Sequence, residues 1–106
     1  MERSGSRSPT SDDREAVGPV LIPGPVADAV IAAIRGEHED VLVLDRGAYL
    51  RVMVPRRCRL CAVRVAQLLE DTFQLPADLE AIMPSFRGRL TITGDQALWE
   101  LVGGSS

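Results

Sequence analysis

The segment Pro55 to Arg64, PRRCRLCAVR, holds both cysteines of the chain in a CxxC spacing among four arginines. Three chemistries suit such a segment. A zinc knuckle would use the two thiolates and two further ligands, usually a second cysteine pair or two histidines. The chain has one histidine, His38, in the polar loop GEHED, so no metal site is expected. A thiol redox pair, Cys58 with Cys61, would gain thiolate character from a helix N-terminus and from Arg56, Arg57 and Arg59. The third possibility leaves the sulfur passive: Cys61 is a small buried residue at a helix start, Cys58 lies in the turn before it, and the arginines form a docking surface for carboxylates. This last reading is adopted. The thiol redox protein and a generic protein-interaction domain stand as its alternatives.

Other catalytic arrangements are missing from the pattern. His38 is flanked by Glu37, Glu39 and Asp40 in what reads as a solvated acidic loop. There is no Ser-His-Asp candidate, no GxGxxG, no phosphate loop and no HExxH. The pairs Glu70 with Asp71 and Asp78 with Glu80 would do acid-base work only inside a cleft, and short amphipathic helices would turn them to solvent. No catalytic residue, cofactor or metal ligand is therefore assigned.

Charge narrows the partners. The formal net charge of -3 argues against nucleic acid, since such binders carry excess positive charge to displace condensed counterions. All 12 basic residues are arginine. Arg46, Arg51, Arg56, Arg57, Arg59 and Arg64 fall in a stretch ending at Leu69 without one acid, and the sign then reverses from Glu70 to Glu80. No apolar run approaches the roughly 20 residues of a membrane helix, and the N-terminus has no apolar centre of the signal type, so a cytoplasmic protein with reduced thiols is expected.

The elements that must position these residues follow from periodicity. Residues 1–16, polar and aperiodic, read as a flexible arm, residues 17–102 as the folded domain, and residues 103–106 as a frayed end. Val17 to Ile22 reads as a strand, which Pro19 should confine to an edge or to the strand's beginning. PGPVADAVIAAIRG predicts a helix with Pro25 near its first position, an apolar face of Val26, Val30, Ala33 and Ile34, and Gly36 at its end. Val41 to Leu44 and Ala48 to Val54 form a hairpin about Asp45-Arg46-Gly47, with Tyr49, Arg51 and Met53 on one face. Cys61, Val65, Leu68, Leu69 and Phe73 predict a helix over about residues 60–72, followed by a short helix in PADLEAIM that Pro84 stops. FRGRLTIT, a Gly94-Asp95 turn and QALWELV close the chain as a hairpin. The expectation is an α+β fold in the order β-α-β-β-α-α-β-β, two layers, with helices packed on a mainly antiparallel sheet.

Several stretches in this order resemble one known family. They are VGP (Val17 to Pro19), DRGAYLRV (Asp45 to Val52) and LLEDTFQLPADLEAIMPSFRGRL (Leu68 to Leu90), within which Leu79-Glu80 and then Ser85-Phe86-Arg87-Gly88 are most telling, with Asp95-Gln96 opening the last strand. The pattern from Val17 to Leu101 is similar to the small effector, or coupling, proteins of bacterial multicomponent diiron monooxygenases. The size and DRGAYLRV are more like the toluene and alkene systems than the methane enzyme. The resemblance implies a cofactor-free, non-catalytic regulatory protein, monomeric when free, that docks on a diiron hydroxylase, reshapes its active site and couples electron input and oxygen activation to hydrocarbon oxidation. It places the partner contacts at Arg46, Tyr49 and Arg51 on the hairpin and at Ser85, Phe86, Arg87 and Gly88. It also implies that cysteine is not required in PRRCRLCAVR.

Overall fold

A computed structural model describes residues 15–102. The expected arm falls almost wholly, and the expected frayed end wholly, outside the described residues. The architecture is α+β with two antiparallel sheets, and the chain alternates between them. Strand β1 (Ala16–Leu21) leads into helix α1 (Pro25–Glu37). The hairpin β2 (Leu42–Asp45) and β3 (Leu50–Pro55) follows, then β4 (Arg57–Cys61) and α2 (Ala62–Leu69). A single turn of helix, α3 (Ala77–Glu80), precedes β5 (Ser85–Arg87), β6 (Arg89–Thr93) and β7 (Gln96–Glu100). The first sheet has the order β2-β3-β1-β5 and the second β4-β7-β6.

α1 begins as its sequence predicts, with Pro25 pre-set for the first turn. It buries Ala27, Val30, Ala33 and Ile34. Gly36 lies inside the helix rather than ending it. The last cap is at His38, whose N–H donates to Ile34 O at 3.1 Å. The buried face of α1 joins Val17, Leu21, Val52 and Val54 of the first sheet and Cys58, Leu60, Ala97 and Trp99 of the second in one core. Helices and both sheets thus share a single apolar interior.

Three expectations change. β4 is a strand where a turn and a helix start were expected. Its burial alternates, with Cys58 and Leu60 inward and Arg57 and Arg59 outward, which is the period of a pleated strand. The adjoining helical stripe had masked that alternation, and α2 is correspondingly shorter. Second, β1 is interior to its sheet despite Pro19. The ladder to β3 pairs Ala16 with Pro55, Val17 with Val54, Val20 with Arg51 and Leu21 with Leu50, while Gly18, Pro19 and Val20 pair with the short β5. A proline that cannot donate is accommodated where the ladder to β3 is interrupted. Third, FRGRLTIT is two strands that part at Gly88 and enter different sheets.

Two backbone points let the chain change sheets. At Arg56, between β3 and β4, φ is 69°. Its N–H donates to Glu15 O at 2.8 Å and its carbonyl accepts from Leu101 N at 2.9 Å, so one residue ties the start of β1 to the end of β7. At Gly88 φ is 100°, and a Cβ there would stand 2.7 Å from Glu100 O and 2.8 Å from Val17 Cγ1. Only glycine allows that approach.

Candidate functional site

The CxxC question is settled by strand geometry. Positions i and i+3 of a strand point to opposite faces and sit roughly 10 Å apart along it, beyond the 4.4–6.8 Å Cα separation of a disulfide. Cys58 is fully buried and Cys61 half-buried, the reverse of the expected placement. Desolvation pushes the Cys58 thiol up to about 12, the opposite of an activated thiolate. The redox reading therefore has no geometric basis.

His38 is drawn onto the same segment, a contact that nothing in the residue pattern demands. Its Nε2 accepts a hydrogen bond from the backbone N–H of Arg59 at 2.9 Å. The imidazole thus covers one donor on the edge of the second sheet, where β4 is an outer strand. Among the described residues no group of three or more His, Cys, Asp or Glu side chains could hold a metal ion.

The arginine-bearing hairpin and the SFRG segment meet on the first sheet. Register explains it: Val20 on β1 pairs with Arg51 on β3 on one side and with Ser85 on β5 on the other. Tyr49, Arg51, Ser85, Phe86 and Arg87 line one groove of about 490 Å³ together with Ala16, Gly18, Val20, Met53 and Pro84. Five of the seven expected contact residues therefore converge. Arg46 does not join them: it stands in the hairpin turn, where its N–H donates to Tyr49 O at 2.9 Å and Asp45 Oδ1 accepts from Gly47 N at 2.8 Å. Gly88 does not line the groove either, and its place is the crossing between sheets.

The groove has aromatic walls and a cationic rim. Tyr49 is 39% and Phe86 43% exposed, so neither is spent on the core. Arg51 and Arg87 are held by contacts of their own and are not free cations. The floor is apolar: Ala16 and Met53 are buried yet stand outside the shared core. Gly18 lies at its centre with φ of 144°, where a Cβ would collide with the carbonyl oxygen of Val52. The floor residues on β1 were legible in principle, since Ala16, Gly18 and Val20 alternate with the buried Val17 and Leu21. Their meaning needed the strand order.

Residues 15–100 match the MmoB/DmpM family.

The chain belongs to that family.

It is 39% identical over 89 residues to the effector subunit of the alkene monooxygenase system of Xanthobacter autotrophicus strain Py2, covering 82% of this chain and 87% of that one. Its fold matches a chain in the solved phenol hydroxylase–regulatory protein complex with a TM-score of 0.71 at 14% identity, over 80% of this chain and 97% of the other. This MmoB/DmpM protein is accordingly a regulatory component of a monooxygenase system and not a catalytic subunit. The β1 and β5 motifs VGP and SFRG, on which the resemblance rested, are the two places where a glycine lets backbones close on one another.

Proposed function

We propose that the chain docks on the diiron hydroxylase of its monooxygenase system through the outer face of the first sheet, as a free monomer carrying no cofactor. Docking reshapes the hydroxylase active site and couples electron input and oxygen activation to oxidation of a hydrocarbon. The observation that carries this reading is the convergence of Tyr49, Arg51, Ser85, Phe86 and Arg87 on one apolar groove in a chain of this family. Tyrosine, phenylalanine and arginine are the side chains that most often anchor protein interfaces.

The mechanism is a population shift. The hydroxylase moves toward a competent state only by as much as the effector binds that state more tightly. The groove supplies differential contact through shape, aromatic area and fixed positive charge. A coupling effect of tenfold needs about 1.4 kcal/mol of difference between the states, within reach of one well-packed aromatic anchor.

The test is steady-state product formation and peroxide release by the cognate hydroxylase with its electron-transfer partners, across substoichiometric to excess amounts of this chain. Coupled product should rise and saturate near one chain per active site while peroxide falls. Absence of binding and of any change in either readout would overturn the proposal.

A further inference from the structure

β2 is an outer strand of the first sheet, and among the described residues no strand lies beyond it. Which of its main-chain groups look outward follows from the hairpin. The N–H of Arg46 donates to Tyr49 O at 2.9 Å, and antiparallel ladders alternate between hydrogen-bonded and non-hydrogen-bonded pairs. Leu44 and Leu42 therefore bond to their partners Arg51 and Met53, which leaves the N–H and C=O of Val43 and Asp45 pointing away from the sheet. Val41 is in phase with them. Its carbonyl accepts from Arg35 Nη1 at 3.4 Å, a long bond that leaves a second lone pair.

The side chains alternate with the same period. Val41 and Val43 pack against the core. Leu42, 53% exposed, and Leu44 belong to the opposite, outer face. Asp40 and Arg46, both exposed, flank them in the same phase. The outer row thus reads acid, leucine, leucine, base, an order that complements itself when reversed.

We propose that two copies of this chain pair antiparallel through β2 about a two-fold axis at Val43, joining two four-stranded sheets into one. Val43 then faces Val43 of the second copy, and Val41 faces its Asp45, each as a hydrogen-bonded pair. Leu42 faces Leu44 and Asp40 faces Arg46 at the positions between, where opposed side chains stand closest. Moving the axis to Leu42 or Leu44 keeps the hydrogen bonds but sets Asp40 or Arg46 against a leucine, so charge selects the register. Arg46, which the groove leaves out, gains a partner here. Because the same strand serves both copies, the contact closes at two and blunts an edge open to further pairing. A ladder this short is small beside the roughly 1,200 Å² of a stable interface, so pairing depends on concentration and the single chain remains the docking species. The inference does not rest on the docking reading.

The test uses the intact chain. Sedimentation from about 10 µM to about 1 mM, the range of small interfaces, should show the mass rising from one chain toward two. Amide exchange at Val43 and Asp45 should slow over that range, whereas Leu42 and Leu44 should be protected already in the single chain. Asp40→Arg alone and Arg46→Asp alone should each weaken pairing by about tenfold or more, since each sets like charges together twice. Mixed in equal amounts, the two variants should pair with each other as well as wild type pairs with itself. Arg64→Asp, away from β2, should stay within about twofold of wild type. Asp40→Asn and Arg46→Gln serve if urea unfolding shows that the reversals disrupt the fold, and each should weaken pairing by about threefold. A chain that stays single up to the highest concentration overturns the inference. So does pairing with protection at β6 in place of β2, and so does a mixture of the two reversed variants that fails to pair. None of these results touches the docking reading, which stands or falls on product formation by the hydroxylase.

Discussion

Replacing Gly88 by alanine adds one methyl group at the point where β5 leaves the first sheet and β6 enters the second. Two costs follow from the geometry. The backbone there has φ of 100°, a region that a residue with a Cβ occupies only at a cost of about 1–3 kcal/mol. The new carbon would also stand 2.7 Å from Glu100 O and 2.8 Å from Val17 Cγ1. The first of these is backbone and cannot swing aside, and overpacking of this kind costs about 1–3 kcal/mol. The sum is about 2–6 kcal/mol, set against about 9 kcal/mol for a domain of roughly 90 residues. Urea unfolding followed by the fluorescence of Trp99, the one tryptophan and fully buried, reads the change directly. With a slope of about 1 kcal/mol per molar urea the midpoint should fall by about 2 M or more. Gly36→Ala is the internal control: it sits in α1 with nothing within 4 Å of the added carbon and should raise stability by about 0.5–1 kcal/mol. A Gly88→Ala midpoint within 0.5 M (about 0.5 kcal/mol) of wild type would refute the close crossing of the two sheets.

Four further outcomes are expected. A thiol reagent should label Cys61 in the folded protein and reach Cys58 only on unfolding, and mild oxidant should form no intrachain disulfide. Because the Cys58 thiol is raised from 9.0 to about 12 in the fold, its neutral form is stabilised there. Its contribution is complete below about pH 9 and is lost as pH rises toward 12, and Cys58→Ala should flatten that alkaline loss in a urea titration. His38→Ala should cost about 1 kcal/mol and speed hydrogen exchange at the Arg59 amide, whose acceptor is the imidazole Nε2. Arg56→Gly should leave the thermal midpoint unchanged or higher, since it relieves a φ of 69° and keeps both backbone hydrogen bonds, whereas Arg56→Val should lower it by about 1–2 kcal/mol of stability.

Elements with a single clear period were legible: α1 from its Pro25 start and apolar stripe, the β2–β3 hairpin from its Asp-Arg-Gly turn, and the last hairpin from Gly94-Asp95. Reading failed where two periods abut. In RCRLCAVRVAQLL the strand alternation of Cys58 and Leu60 runs straight into the helical spacing of Ala62 and Val65, and no proline or glycine separates them. The residues expected on β3 and β5 were named through the resemblance, yet their meeting on one groove was not legible. It depends on β1 lying between them, and a strand order joining residues about 35 positions apart has no local signature. A second hollow, lined by Glu39, Asp40, Leu42, Met53 and Pro55, was hidden for a related reason: Glu39 and Asp40 look like an ordinary solvated loop until Met53 and Pro55 are seen beside them.

The crossings at Arg56 and Gly88 also have a mechanical meaning. The first sheet joins β1, β2 and β3 to a strand from far along the sequence, β5, while the second sheet is built wholly from residues after Arg56, so β5 ties the early strands to the later ones. β5 is only three residues long, and it runs straight into a glycine wedged between Val17 and the carbonyl of Glu100. A pull applied to Phe86 or Arg87 has no slack loop in which to be absorbed. It passes at once to β1 on one side and β7 on the other.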